Sequence, residues 1–162
     1  MNKELYLACF SFLKKRPPLL KAAVVLQKIL ELSLYAVYPL FLGHLVFCAN
    51  PYWIRSAAVC GAGLLLVSVL RICINAKRPY EELGFEPLIK RDKKGRSMPS
   101  RHTFCAAVIA VSILGVFPAL GGALLIAALL IGFLRVVLGV HYVKDVVVGF
   151  VLGALSGLIC LV

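Results

Sequence analysis

Charge-free stretches divide this sequence sharply. Residues 32–54 contain no Lys, Arg, Asp or Glu, and neither do residues 102–134, while residues 77–100 between them are dense in charge. A charge at mid-bilayer costs about 2.5 kcal/mol or more, so the apolar runs read as membrane crossings, each needing roughly 20 residues of helix. A first span is predicted over 24–48, ending before "NPYW" at 50–53, a turn with interfacial aromatics. A second runs over 56–75. The long run after residue 102 exceeds one crossing and is punctuated by "FPALGG" at 117–122, which predicts two spans, 102–117 and 120–140. A fifth begins near residue 144. The expected fold is all-α, a polytopic transmembrane helical bundle of about five spans.

The N-terminal stretch "MNKELYLACFSFLKKRPPLLK" has only about ten mostly apolar positions before a basic cluster. Its charges follow the apolar part and no small-residue cleavage site appears, so it does not have the form of a signal peptide. Residues 1–21 are expected to form an amphipathic helix lying on the membrane surface. Composition agrees with this reading: 62% of the 162 residues are hydrophobic, against roughly 45–50% in a soluble domain. No repeat or linker divides the chain, and residues 1–162 are expected to be one membrane-embedded domain.

The formal net charge of +11 implies anionic partners. In a bilayer these are lipid head groups and phosphate. Nucleic acid is disfavoured, since there is no recognition module, aromatic platform or zinc spacing. The six cysteines form no CxxC pair and mostly lie in apolar runs, where Cys acts as a small hydrophobe.

With five crossings, the N-terminal segment, the 77–100 loop and the turn near residue 142 share one face, bringing three polar clusters together. The opposite face has Arg55 and little else. In "RICINAKRP", Arg71 and Arg78 are seven residues apart, two helical turns. In "RSMPSRHTFCAAVIAV", Pro99 suits a first helical turn, Ser100 a cap, and His102 lies in that turn, where free backbone N–H groups attract anions. In "RVVLGVHYVKD", His141 and Asp145 are four apart, so a carboxylate can hold one imidazole nitrogen and leave the other to act. Gly139 is a candidate helix break that would leave Arg135 ending the fourth span and His141 starting the fifth. Taken singly, each cluster also fits an ordinary role: snorkelling arginines, a Pro-Ser helix start, a local His–Asp hydrogen bond. Together they suit a tetrahedral phosphate, with guanidinium forks and a helix N-terminus to hold it and two histidines to transfer it.

The order Arg71-x6-Arg78-Pro79, Pro99-Ser100-Arg101-His102, Arg135-x5-His141-x3-Asp145 resembles the three-part signature of the type 2 phosphatidic acid phosphatases, K-x6-R-P, P-S-G-H and S-R-x5-H-x3-D. Three positions depart from it: Arg71 for Lys, Arg101 for Gly and Leu134 for Ser. The resemblance implies a metal-independent lipid phosphate or pyrophosphate phosphatase without cofactor, and no carboxylate cluster suited to Mg²⁺ is evident in the sequence. It implies His141 as nucleophile forming a phosphohistidine, Asp145 orienting it and His102 as general acid. Arg71, Arg78, Ser100, Arg135 and the Arg101 backbone N–H would hold the phosphoryl oxygens. Polyprenyl pyrophosphate, phosphatidate and phosphatidylglycerophosphate are the candidate substrates. Phosphotransfer to a second lipid is a sister reading, and a non-catalytic anionic-lipid-binding protein is one of a different class. The latter has no need of His102, or of His141 paired with Asp145. The expected location is the cell membrane. The basic N-terminal flank puts the site on the cytoplasmic side by the positive-inside rule, whereas many bacterial members of the family work on the outer face.

Overall fold

A computed structural model describes residues 3–85, 88–89 and 94–161. Seven helices are seen there: α1 (Lys3–Lys14), α2 (Pro17–Phe47), α3 (Tyr52–Ile74), α4 (Pro79–Leu83), α5 (Arg101–Leu114), α6 (Pro118–Val137) and α7 (Val143–Leu161). Four of them, α2, α3, α6 and α7, are long and apolar enough to cross a membrane. Their outward faces carry the exposed Leu40, Leu65, Ile126 and Ile159, as a lipid-facing surface requires.

The fifth apolar helix is different. α5 has 14 residues, a length of about 21 Å, short of a bilayer core about 30 Å thick. Ten of its residues, Thr103, Phe104 and the run from Ala106 to Ile113, are buried. It is the central stave of the bundle, and a helix wrapped in protein needs no lipid-matching length.

Two prolines open α2 at positions where a missing N–H leaves no hydrogen bond unmade. That helix therefore begins at Pro17, and residues 17–21, expected in the interfacial segment, belong to the first span. α1 is a separate helix from α2, and its Phe10 packs against Phe85 with the rings tilted, 4.4 Å between centroids.

Close packing of α7 on α5 depends on side chains that are absent. Gly149 and Gly153 lie one turn apart on the buried face of α7. A Cβ at Gly149 would stand 2.6 Å from the Ser100 carbonyl oxygen, and one at Gly153 would stand 2.4 Å from that of Phe104. The two backbones are thus in contact, and one turn before Gly149 the same face carries Asp145. Its carbonyl accepts the Ser100 N–H at 2.8 Å, fastening the start of α7 to the start of α5.

Replacing Gly153 with Leu should separate these helices, because the obstructing atom is backbone and cannot rotate away. We expect a loss of about 1–3 kcal/mol in stability, measured by thermal unfolding in detergent, with a parallel fall in activity.

Candidate active site

α3 and α6 deliver their C-terminal ends, and α5 its N-terminal end, to one face of the bundle. They surround a cavity of about 490 Å³, lined among others by Arg71, Arg78, Arg101, His102, Arg135 and His141. Six of the eight residues singled out in the sequence therefore meet at one pocket.

His141 comes back to Arg135 through a helix stop. Gly139 adopts φ +82°, a conformation that disfavours residues with a Cβ. Its N–H bonds the Val136 carbonyl at 3.0 Å, and the Val140 N–H bonds the Arg135 carbonyl at 3.1 Å. This pair of bonds is the Schellman termination. The His141 N–H reaches the same Arg135 carbonyl at 3.2 Å, so two residues poorly spaced for one helical face become neighbours.

His141 lies in the loop before α7 and not on a helix with Asp145, yet its Nδ1 is 3.5 Å from Asp145 Oδ2. Ser97, which the sequence reading did not single out, stands between them. Its hydroxyl donates to Asp145 Oδ2 at 2.5 Å and lies 3.2 Å from His141 Nδ1. With the Ser97 proton committed to the carboxylate, its oxygen accepts from Nδ1–H, which assigns the proton to Nδ1 and the lone pair to Nε2. Asp145 Oδ2 also accepts the Tyr142 N–H at 3.0 Å, the reach-back of a capping box at the start of α7. Burial pushes the His141 pKa down to about 4, with Arg78 adding repulsion against the partial support of Asp145.

Arg71 and Arg78 are anchored on backbone oxygens. Arg71 Nη1 donates to the Pro99 carbonyl at 2.6 Å and the Ser97 carbonyl at 3.4 Å. Arg78 Nε donates to the Gly95 carbonyl at 3.1 Å, and its Nη1 to the Val140 carbonyl at 3.3 Å. Each arginine thereby ties its helix end to a loop that carries site residues. Arg135 is fully buried and forms an ion pair with Glu31 of α2. Glu31 in turn accepts from Gln27 Nε2 at 2.8 Å. The pairing leaves no mark in the sequence, since Glu31 and Arg135 are 104 residues apart.

Ser100 is the N-cap of α5, as the motif suggests, but it is fully buried and its hydroxyl lies 2.9 Å from Thr103 Oγ1. It stands behind the cavity wall and not among the residues lining it. Arg101 opens α5 and lines the cavity with an exposed side chain. Leu134, where the signature has Ser, is buried with Leu138 and Val140 in an apolar cluster.

Comparison with known proteins places the fold in a class. No curated protein sequence matches the chain significantly. Among the solved structures that resemble it are two that do so over nearly its whole length. A transmembrane PAP2-type phosphatidylglycerolphosphate phosphatase from Bacillus subtilis is 27% identical with a TM-score of 0.73, covering 98% of this chain and 81% of its own. LpxE from Aquifex aeolicus is 28% identical with a TM-score of 0.76, covering 99% and 94%. The class is that of membrane-embedded phosphatases. Residues 51–162 match the PAP2 superfamily, and the chain belongs to it.

Replacing Glu31 with Leu removes an anionic partner of the buried Arg135 and should lower stability by about 3–5 kcal/mol, whereas replacing both with Leu should recover most of the loss; thermal unfolding in detergent measures both. The folded His141 resists protonation until about pH 4, while in an unfolded chain it titrates near 6.5. Between those values the unfolded chain binds the extra proton, so stability should fall as pH drops through that window. A His141→Gln variant should lose this part of the pH slope in unfolding experiments.

Proposed function

We propose that the protein hydrolyses a phosphate or diphosphate ester of a membrane lipid through a phosphohistidine at His141. The observation that carries this reading is the state of His141: Nδ1 is held by Ser97 and Asp145, and the ring is neutral at physiological pH in a pocket rich in guanidinium groups. That combination supplies a nucleophilic nitrogen and a site for the phosphate it attacks.

In the forward step, His141 Nε2 forms a bond to phosphorus as the bond from phosphorus to the leaving oxygen breaks, and His102 gives that oxygen a proton. Arg71, Arg78 and Arg135, with the backbone N–H of Arg101 at the start of α5, stabilise the phosphoryl oxygens. Asp145, acting directly and through Ser97, supports the positive charge that His141 acquires. In the return step, water attacks phosphorus, His102 takes its proton, the phosphorus–nitrogen bond breaks and inorganic phosphate leaves. Ser100 serves by position: it stands at the N-cap of α5 and its N–H holds the Asp145 carbonyl.

A lipid substrate suits the surroundings of His102. This residue borders both the cationic cavity and a small cleft lined by Glu31, Tyr35 and the apolar Leu34, Ile109 and Ile131. A leaving oxygen can thus meet His102 where the cationic cavity adjoins apolar residues of the bundle. The resemblance to two membrane phosphatases over nearly the whole chain supports the same reading.

The test is phosphate release from a panel of lipid phosphates by purified protein, with and without chelator. His141→Ala should reduce release to background and abolish acid-labile phosphate labelling of the protein. His102→Ala should slow release by about 10²–10⁴-fold. Activity should persist in chelator, and full activity in His141→Ala would overturn the mechanism.

A further inference from the structure

One phosphoryl group, three anchored arginines and two histidines leave cations of the cavity unused. Lys94, Arg96 and Arg101 line the same space, and no Asp or Glu is among the described residues lining it. A phosphomonoester dianion is already matched by Arg71, Arg78 and Arg135.

The turn that carries Lys94 and Arg96 is fixed in place. The Gly95 N–H donates to Glu81 Oε1 at 2.6 Å, and the Gly95 carbonyl accepts from Arg78 Nε at 3.1 Å. The Ser97 N–H donates to the Ala76 carbonyl at 2.9 Å. Gly95 and Arg96 both take left-handed backbone conformations, φ +64° and +53°. A Cβ at position 95 would meet Asn75 Oδ1 at 2.5 Å, so the turn rests directly on the end of α3. A basic loop that merely sits in solvent requires neither this clamp nor an arginine in a conformation that residues with side chains rarely adopt. Here the clamp includes Arg78 of the phosphate site itself, and so the position of Lys94 and Arg96 is coupled to that of the reacting phosphate.

We propose that Lys94, Arg96 and Arg101 form a second anion subsite that takes another phosphate group of the same substrate molecule, beside the one that is cleaved. The proposal rests on the phosphatase reading above and narrows its substrate class to lipids bearing two phosphates in one head group. Two chemistries meet that description, a diphosphate and a phosphomonoester joined to a phosphodiester through a short linker. Forked guanidinium groups and a flexible ammonium suit either.

The experiment compares a prenyl monophosphate with its diphosphate, and phosphatidate with phosphatidylglycerophosphate, in neutral detergent micelles. The enzymes are wild type, Lys94→Ala/Arg96→Gly, Arg96→Lys and His141→Ala. Glycine at 96 keeps the left-handed turn while removing the charge, and thermal unfolding checks that the fold survives. Wild type should favour at least one two-phosphate substrate over its one-phosphate partner by about tenfold or more in kcat/KM, and the double variant should lose most of that preference, mainly through KM. Arg96→Lys should retain part of it. The pair that responds identifies whether the second phosphate is a diphosphate or a diester. Equal rates on one- and two-phosphate substrates in wild type would overturn the proposal. So would an equal loss on both substrates in the double variant that changes with added anionic lipid, which would mark simple attraction to the bilayer surface. Phosphate release undiminished in His141→Ala would instead refute the phosphohistidine reading, independently of the subsite.

Discussion

An ion inside an apolar bundle must be given a partner, and the architecture at the charged end of this protein is the set of solutions to that requirement. Arg135 has no exposed surface and takes the Glu31 carboxylate. Arg71 and Arg78 take carbonyl oxygens of the loops around them. His141 solves the problem differently, by staying neutral and sharing its Nδ1 proton with Ser97 beside Asp145. Because isolated charges are so costly in a low-dielectric surrounding, each of these contacts also fixes a geometry. The partners that make the ions tolerable are the same bonds that tie α3, α4, α6 and the 94–100 segment around one cavity.

Backbone proximity makes this possible. The glycines of α7 let it lie against α5 until the Asp145 carbonyl reaches the Ser100 N–H, and that contact sets the start of α5 against the loop that holds His141. The Schellman stop at Gly139 performs the complementary task from the α6 side, folding His141 back on the Arg135 carbonyl. Two elements of sequence with no chemistry of their own, small residues one turn apart and a lone glycine at a helix end, thereby set the positions of a nucleophile candidate and its supporting carboxylate.

Much of this was legible in the sequence, and the limits of legibility have physical causes. Charge-free runs expose membrane helices because a bilayer penalises ions strongly, so α3, α5, α6 and α7 fall close to their expected bounds, while α2 starts earlier, at Pro17, where its two prolines open the helix. The central position of α5 was less visible, since a protein-wrapped helix and a lipid-facing one are equally apolar; only its length, 14 residues, betrays it. Arg71, Arg78, Arg101, His102, Arg135 and His141 were singled out because they fall in three clusters beside apolar spans whose order resembles a family signature, although each cluster alone also fits an ordinary role. Ser97 and Glu31 were not, because their significance lies in partners 44 to 48 and 104 residues away. Ser100 was found for its cap, but a hydroxyl at a helix start can turn toward a ligand or toward its own helix, and here it meets Thr103.

The departures from the family signature take on meaning in this setting. Leu134 fills an apolar cluster with Leu138 and Val140, so where the signature has a hydroxyl this chain has packing next to the loop before His141. Arg71, in place of the usual Lys, uses one nitrogen for two carbonyls and thereby grips the segment leading into α5. Glu31 extends the argument beyond the signature altogether. It lies on α2, outside residues 51–162 that match the superfamily, yet its carboxylate sits on an arginine of the cavity. A cavity lined by this many cations carries a strong positive potential, and an acid on Arg135 draws off part of it. The first spanning helix is therefore part of the electrostatics of the pocket as well as of its wall.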